Sequence, residues 1–110
     1  MEIFIFGRRI FIRRVGNFGK FFGLMFRSSG TDNLLFEFRK RDSYPIHSFF
    51  VFFLFLAVWL SGDEVVGCEI VKPFRFSVVP DKKFDKLVEI PLNGKNKEIV
   101  EFFVGKKRKV

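Results

Sequence analysis

The chain is 110 residues long, 48% hydrophobic and 29% charged, and carries a formal net charge of +8. This length leaves room for one domain with one core, and the composition excludes a disordered chain. A single cysteine, Cys68, excludes an intramolecular disulfide, and its strand-like surroundings predict a buried, inert thiol.

The apolar residues are dominated by 19 phenylalanines, and there is one alanine, Ala57. Phe, Val and Ile favour a pleated, half-buried surface whereas Ala is the best helix former, so the composition predicts strands. The many charges, the absence of Gln and the single Thr are typical of thermophile proteins, which we state as a hypothesis.

The N-terminal residues predict a hairpin of Glu2–Phe6 and Arg9–Arg13 around Gly7-Arg8. In its second strand Arg9, Phe11 and Arg13 share one face and the isoleucines share the other. Arg8 and Arg9 interrupt the first apolar residues, and no cleavage site follows, so we expect no signal peptide and a cytoplasmic protein.

A short helix and a strand follow in the prediction. Asn17 is a candidate helix N-cap, and Phe18, Phe21, Phe22 and Met25 come at helical spacing, typical of core packing. After a polar loop, Leu34–Arg39 alternates, with Leu34, Phe36 and Phe38 predicted to point inward.

The most membrane-like stretch, Phe49–Leu60, is twelve residues without a charge or amide. A helix that crosses a bilayer needs about twenty apolar residues, so this run is too short. Because it is apolar on both faces and rich in Phe and Val, we predict a central strand buried on both faces, with a bend or bulge near Leu54.

The C-terminal half predicts a hairpin turn at Ser61-Gly62-Asp63 and a returning strand, Glu64–Val71. Lys72–Lys83 contains two prolines and is predicted to be an irregular crossing segment, and Leu87–Leu92 is a further strand. A short helix should follow, with Asn96 as its cap, Gly105 just past its end, and an apolar side of Ile99, Val100 and Phe103.

Taken in order, these segments resemble an uncharacterised family, the domain-of-unknown-function family number 192 in the form met in archaea. The resemblance covers about Phe4 to Val104 and rests on an ordered set of short motifs. They are Gly23-Leu24-Met25-Phe26-Arg27, Leu34-Leu35-Phe36-Glu37-Phe38, Ile46-His47-Ser48-Phe49-Phe50, Trp59-Leu60, Lys72-Pro73-Phe74-Arg75, Val88-Glu89-Ile90-Pro91 and Val104-Gly105.

The resemblance implies a compact, mostly β domain with one or two short helices, and it implies no biochemical activity. Relatives usually have a Pro and an Asp in the central strand, where this chain has Leu54 and Leu56, and often a basic residue near Phe52. If those polar groups form a site in the family, that site is missing or altered here.

The predicted fold is therefore α+β and mainly β, a single domain over residues 1–110 with a basic tail at about 105–110. We expect about six or seven strands, curled as a barrel-like or sandwich sheet around a Phe-rich core, and two short helices.

No catalytic residue, metal site or cofactor is predicted. His47 is the single histidine and has no partners at metal-ligand spacing, and no phosphate-loop or nucleophile-elbow motif occurs. An enzyme of unknown class is the least favoured hypothesis.

The leading hypothesis is a non-enzymatic binding or accessory domain for a small anionic ligand or a protein partner. Its predicted pocket is a rim of Arg27, His47, Lys72 and Arg75, since sites concentrate on loops.

The alternative hypothesis is nucleic-acid binding, for which the net charge is the strongest sign. Against it, the basic groups are scattered along the sequence, no aromatic stacking motif is recognisable, and the phenylalanines lie at core-like positions. Both hypotheses predict a binding protein with no membrane span.

Overall fold

A computed structural model describes residues 1–14, 30–42, 51–75 and 78–108. Within these ranges the chain forms seven strands and one α-helix, which directly follows a 3₁₀ turn at Gly94–Asn96. The elements are β1 (Glu2–Ile5), β2 (Arg8–Phe11), β3 (Arg13–Arg14), β4 (Leu34–Asp42), β5 (Phe55–Ser61), β6 (Glu64–Val71), β7 (Phe84–Pro91) and α1 (Lys97–Arg108).

The strands form a two-stranded sheet, β1-β2, and a five-stranded sheet in the order β3-β4-β7-β5-β6. β3 runs parallel to β4, and the other pairs are antiparallel. The prediction of a mainly β fold with six or seven strands is confirmed. Among the described strands, the sheets pack as in a sandwich and do not close into a barrel.

The two predicted hairpins are present, but the first turn is Phe6-Gly7, one residue earlier than predicted, because Ile5 pairs with Arg8. Both turns use the left-handed region that favours glycine. Gly7 has φ 78° between β1 and β2, and Gly62 has φ 61° between β5 and β6. In the second turn Ser61 pairs with Glu64, which leaves a two-residue loop. Such loops need positive φ, so these glycines set the strand register.

The apolar run forms an interior strand only from Phe55 onward. Residues 55–60 of β5 are all buried, between β7 and β6. The break predicted near Leu54 is present, but burial throughout the run was wrong, because Phe52 is 62% and Leu54 40% exposed. Phe49 and Phe50 lie outside the described residues. Across the described ranges, no helix combines the length and apolarity that a bilayer span requires.

Alternation along the strands divides the core between the two faces of the five-stranded sheet. The first face carries one cluster of buried residues: Leu34, Phe36, Val51, Phe55, Ala57, Trp59, Val71, Val78, Phe84 and Leu87. The second face packs against the β1-β2 hairpin and α1, and its cluster comprises Ile5, Ile10, Ile12, Leu35, Leu56, Val58, Leu60, Val88, Ile90 and Phe103. Cys68, which we predicted to be buried, is half-buried at the edge of the second cluster.

The C-terminal helix begins at Lys97, directly after the predicted cap Asn96, but its other end differs from the prediction. The preceding 3₁₀ turn has Asn93 as its N-cap, whose backbone is extended and whose Oδ1 accepts a hydrogen bond from the Asn96 backbone N–H at 3.0 Å. The helix continues to Arg108, so Gly105 lies inside it and not past its end. The predicted apolar side is confirmed, with Phe103 1% exposed. The helix predicted after Asn17 lies outside the described residues.

Asn96 has a different role from the predicted one, because its amide is buried in a hydrogen-bond network. Its Nδ2 donates to Asn33 Oδ1 at 2.9 Å and to the Pro91 carbonyl at 2.8 Å. Asn33 in turn donates to the Phe11 carbonyl at 3.0 Å. The network therefore joins the N-terminal hairpin, the start of β4, the end of β7 and the start of α1.

We expect Asn96→Ala to lower the free energy of unfolding by about 2–4 kcal/mol, because two buried acceptors lose their donor. Urea unfolding measures the loss. Lys97→Ala, at an exposed neighbouring position, should change stability by no more than about 0.5 kcal/mol. Equal effects of the two variants would contradict a structural role for the network.

Candidate nucleic-acid interface

Two of the four predicted pocket residues lie in the part of the chain that the structure describes. Lys72 and Arg75 both lie in the loop after β6, and both are exposed. Arg75 Nη1 is 3.9 Å from Glu69 Oε1, so its charge is partly countered. Arg27 and His47 lie outside the described residues, and the convergence of all four stays a prediction.

Phe74 of this loop forms an exposed aromatic pair with Phe52, which lies just before β5. Phe74 has φ 61°, a conformation that non-glycine residues seldom adopt. Its ring meets that of Phe52 edge-to-face, with centroids 5.6 Å apart. The two rings are 52% and 62% exposed. The expectation that the phenylalanines occupy core positions was wrong here.

A second aromatic surface lies on the outward face of the β1-β2 hairpin. In the hairpin register Glu2 is opposite Phe11 and Phe4 is opposite Arg9, so these four side chains share one face. We call this set, Glu2, Phe4, Arg9 and Phe11, the hairpin face. The opposite side packs its isoleucines into the core. Phe4 and Phe11 are therefore left 65% exposed each.

Arg9 lies between these two rings. Its guanidinium carbon is 5.6 Å from the centroid of Phe11, a cation–π distance. Its Nε is 3.8 Å from a carboxylate oxygen of Glu2, and both side chains are well exposed. An exposed ion pair of this length is weak, so a phosphate can compete with Glu2 for the guanidinium.

A groove of about 210 Å³ begins beside the hairpin face. Arg9 and Phe11 line one side of it, while Asp32 and Lys95 belong to its other walls. Lys95 Nζ is 3.5 Å from the Gly30 carbonyl at an exposed position. The groove thus adds a second cation, Lys95, between the hairpin face and the start of α1.

The tip of the hairpin packs against α1, whereas the hairpin face is exposed to solvent. The Arg8 guanidinium carbon lies 4.8 Å from the Phe102 ring centroid, and Arg8 Nη2 is 4.0 Å from Glu98. Phe6 also meets Phe102 edge-to-face at 6.2 Å. These contacts hold the hairpin flat against the body of the domain.

One carboxyl group lies deep in the central strand. Glu89 is 6% exposed on β7, between Leu34 of β4 and Ala57 of β5. Burial raises the pKa of Glu89 from 4.5 to about 8, because a charged carboxylate is poorly solvated there. Glu89 Oε1 and the indole Nε1 of Trp59 have no hydrogen-bond partner within the described structure. Nothing in the sequence pattern predicted this site.

Metal-ligating side chains are not gathered in the described ranges. No group of three or more His, Cys, Asp or Glu residues lies close enough there to hold an ion.

No protein-family model matches this chain, and no curated protein matches it either. Its fold is similar to the crystal structure of a putative transcription regulator from Sinorhizobium meliloti 1021, with a TM-score of 0.72. The two chains are 14% identical, and the match covers 89% of this chain and 82% of the other. At that identity the likeness shows a shared fold and nothing further.

The hairpin face was missed at the level of sequence, although a signal for it exists. In both strands the isoleucines alternate with Phe and Arg, so one face is aliphatic except for Arg8 at the tip. Because a hairpin buries one face, the aliphatic side goes inward and the phenylalanines go outward. The general preference of Phe for the core concealed this local pattern.

Proposed function

We propose that this chain is a nucleic-acid-binding domain that acts by binding and not by catalysis. The observation that carries the proposal is Arg9 between two exposed rings, Phe4 and Phe11, on the hairpin face. Basic side chains interleaved with aromatic rings can bind phosphates and bases together. The formal net charge of +8 adds long-range attraction for a polyanion.

The structural neighbour supports nucleic acid as the class of partner, but it does not indicate which nucleic acid. The Sinorhizobium meliloti protein shares the fold and is described as a putative transcription regulator. The hypothesis of a small anionic ligand at Lys72 and Arg75 is the second candidate. Its support is the left-handed conformation of Phe74 between two cations, because backbone strain of this kind concentrates at functional sites.

The decisive experiment is a fluorescence anisotropy titration with a labelled oligonucleotide at about 50 mM and about 200 mM salt. We expect binding at the lower salt and a steep loss at the higher one, because released counterions drive the association. Absence of binding to any nucleic acid at low salt would overturn the proposal.

Arg9→Ala tests the hairpin face within the same titration. We expect the affinity to fall about tenfold, as for the loss of a charge-assisted hydrogen bond, and the salt slope to fall by about 0.7 for a single strand. Lys72→Ala is the matched control, because it removes the same charge from the other candidate site. A loss with Lys72→Ala and none with Arg9→Ala would place binding at the loop after β6.

A further inference from the structure

We infer that the hairpin face binds single strands in preference to duplexes, with unpaired bases stacked on Phe4 and Phe11 and the phosphate backbone at Arg9. This inference rests on the proposed function and specifies its substrate. The ligand is thus a single-stranded nucleic acid, because the hairpin face presents both aromatic rings for bases and a guanidinium for phosphates.

The rings themselves favour unpaired bases. Phe4 and Phe11 are diagonal neighbours across the β1-β2 pair, since Phe4 is opposite Arg9. Their side chains are within reach of successive groups of one extended ligand. A phenyl ring has no hydrogen-bonding atom with which to read base edges in a groove, but it stacks on any exposed base face. In a duplex those faces are already stacked on each other.

The attachment of the hairpin also disfavours a duplex. A two-stranded ribbon reads the base edges of duplex DNA by entering a groove. Here the inner side of the ribbon contributes Ile5 and Ile10 to the core, and the tip packs on Phe102. The hairpin therefore offers a flat surface and does not project from the domain.

The positions of the charges define a path for the phosphate backbone of the bound strand. Arg9 lies on the hairpin face, and Lys95 lies across the adjoining groove. Successive phosphates of one strand can therefore contact first Arg9 and then Lys95. Glu2 and Asp32 are the acidic groups of the hairpin face and the groove, and they repel a backbone that strays toward them. The rings of Phe4 and Phe11 are left for the bases.

The test compares a labelled oligothymidine with a duplex of the same length at low salt. We expect tighter binding of the single strand. The double substitution Phe4→Ala/Phe11→Ala should weaken single-strand binding by about tenfold or more, because each stacked base is lost, and should leave the salt slope unchanged. Both rings are 65% exposed, so the variant should remain folded.

Phe52→Ala/Phe74→Ala is the matched control, because it also removes two exposed phenyl rings, but outside the hairpin face. Unchanged single-strand binding by this variant supports the inference. Equal binding of single strand and duplex, with no effect of Phe4→Ala/Phe11→Ala, would overturn the inference and leave the proposed function standing. A loss only with Phe52→Ala/Phe74→Ala would also overturn it. Failure to bind either nucleic acid would overturn both.

Discussion

Replacing Glu89 with glutamine should stabilise the fold, and the gain should grow as the pH rises. Glu89 is 6% exposed, and its carboxyl Oε1 has no partner among the described residues. Its pKa is raised to about 8 in the folded protein by burial, against 4.5 for an ordinary glutamate. The folded state therefore holds a proton that the unfolded state releases.

The sign of the pH dependence follows from these two pKa values. Below pH 4.5 Glu89 is protonated in both states, and its titration costs no stability. As the pH rises toward 8, the unfolded state gains the free energy of ionisation, and stability falls by about 1.4 kcal/mol per pH unit. Above about pH 8 the folded state ionises too and the cost, by then about 5 kcal/mol, levels off.

Urea unfolding of the wild type and Glu89→Gln between pH 5 and pH 8 measures this cost. Glutamine keeps the size of the side chain and does not titrate, so the stability difference should widen by roughly 3–4 kcal/mol over the range. Glu101→Gln, at an exposed position of α1, is the control and should show no such widening. A constant difference between the two proteins would contradict the buried, protonated state of Glu89.

Phe84→Ala should be the most damaging single truncation among the aromatic residues that we consider. Phe84 is fully buried at the start of β7, and its ring contacts Phe38 at 5.7 Å and Trp59 at 6.3 Å between centroids. Truncation of a buried Phe costs about 3–5 kcal/mol, which combines lost burial with the cavity left behind. Small domains have only about 5–15 kcal/mol of stability in total.

Thermal and urea unfolding provide the measurement. Phe11→Ala is the matched control, since the same atoms are removed from a ring that is 65% exposed. It should change stability by no more than about 0.5 kcal/mol. Similar losses in the two variants would show that Phe11 packs against the domain, which would also weaken the case for the hairpin face as a binding surface.

Much of the fold could be predicted because its signals are local. β6 begins and ends at the predicted residues, Glu64 and Val71, because a glycine turn starts it and prolines follow it. The N-terminal hairpin and the interior strand at Phe55–Leu60 followed from alternation and apolar continuity in the same way. The predicted end of α1 was wrong because one glycine costs a helix only about 1 kcal/mol, which the rest of the helix and its packing can outweigh.

The candidate site was less predictable, because it depends on which residues meet across the fold. Asn96 has the chemistry of a cap, yet its amide is buried against Asn33, 63 residues away in the chain. Lys72 and Arg75 share a loop as their spacing implies, but only the fold sets Glu69 beside Arg75. Long-range contacts of this kind have no signature in a local window of sequence.

By itself, the sequence determined the strand content, the two glycine turns, the positive charge and the apolar run that is too short for a membrane-spanning helix. These depend on backbone preferences and on periodicity, which act over a few neighbouring residues. Only the tertiary structure decided that Phe4 and Phe11 face solvent and that Glu89 does not. Burial is decided by which surfaces pack together, because a side chain leaves water only where another part of the chain covers it.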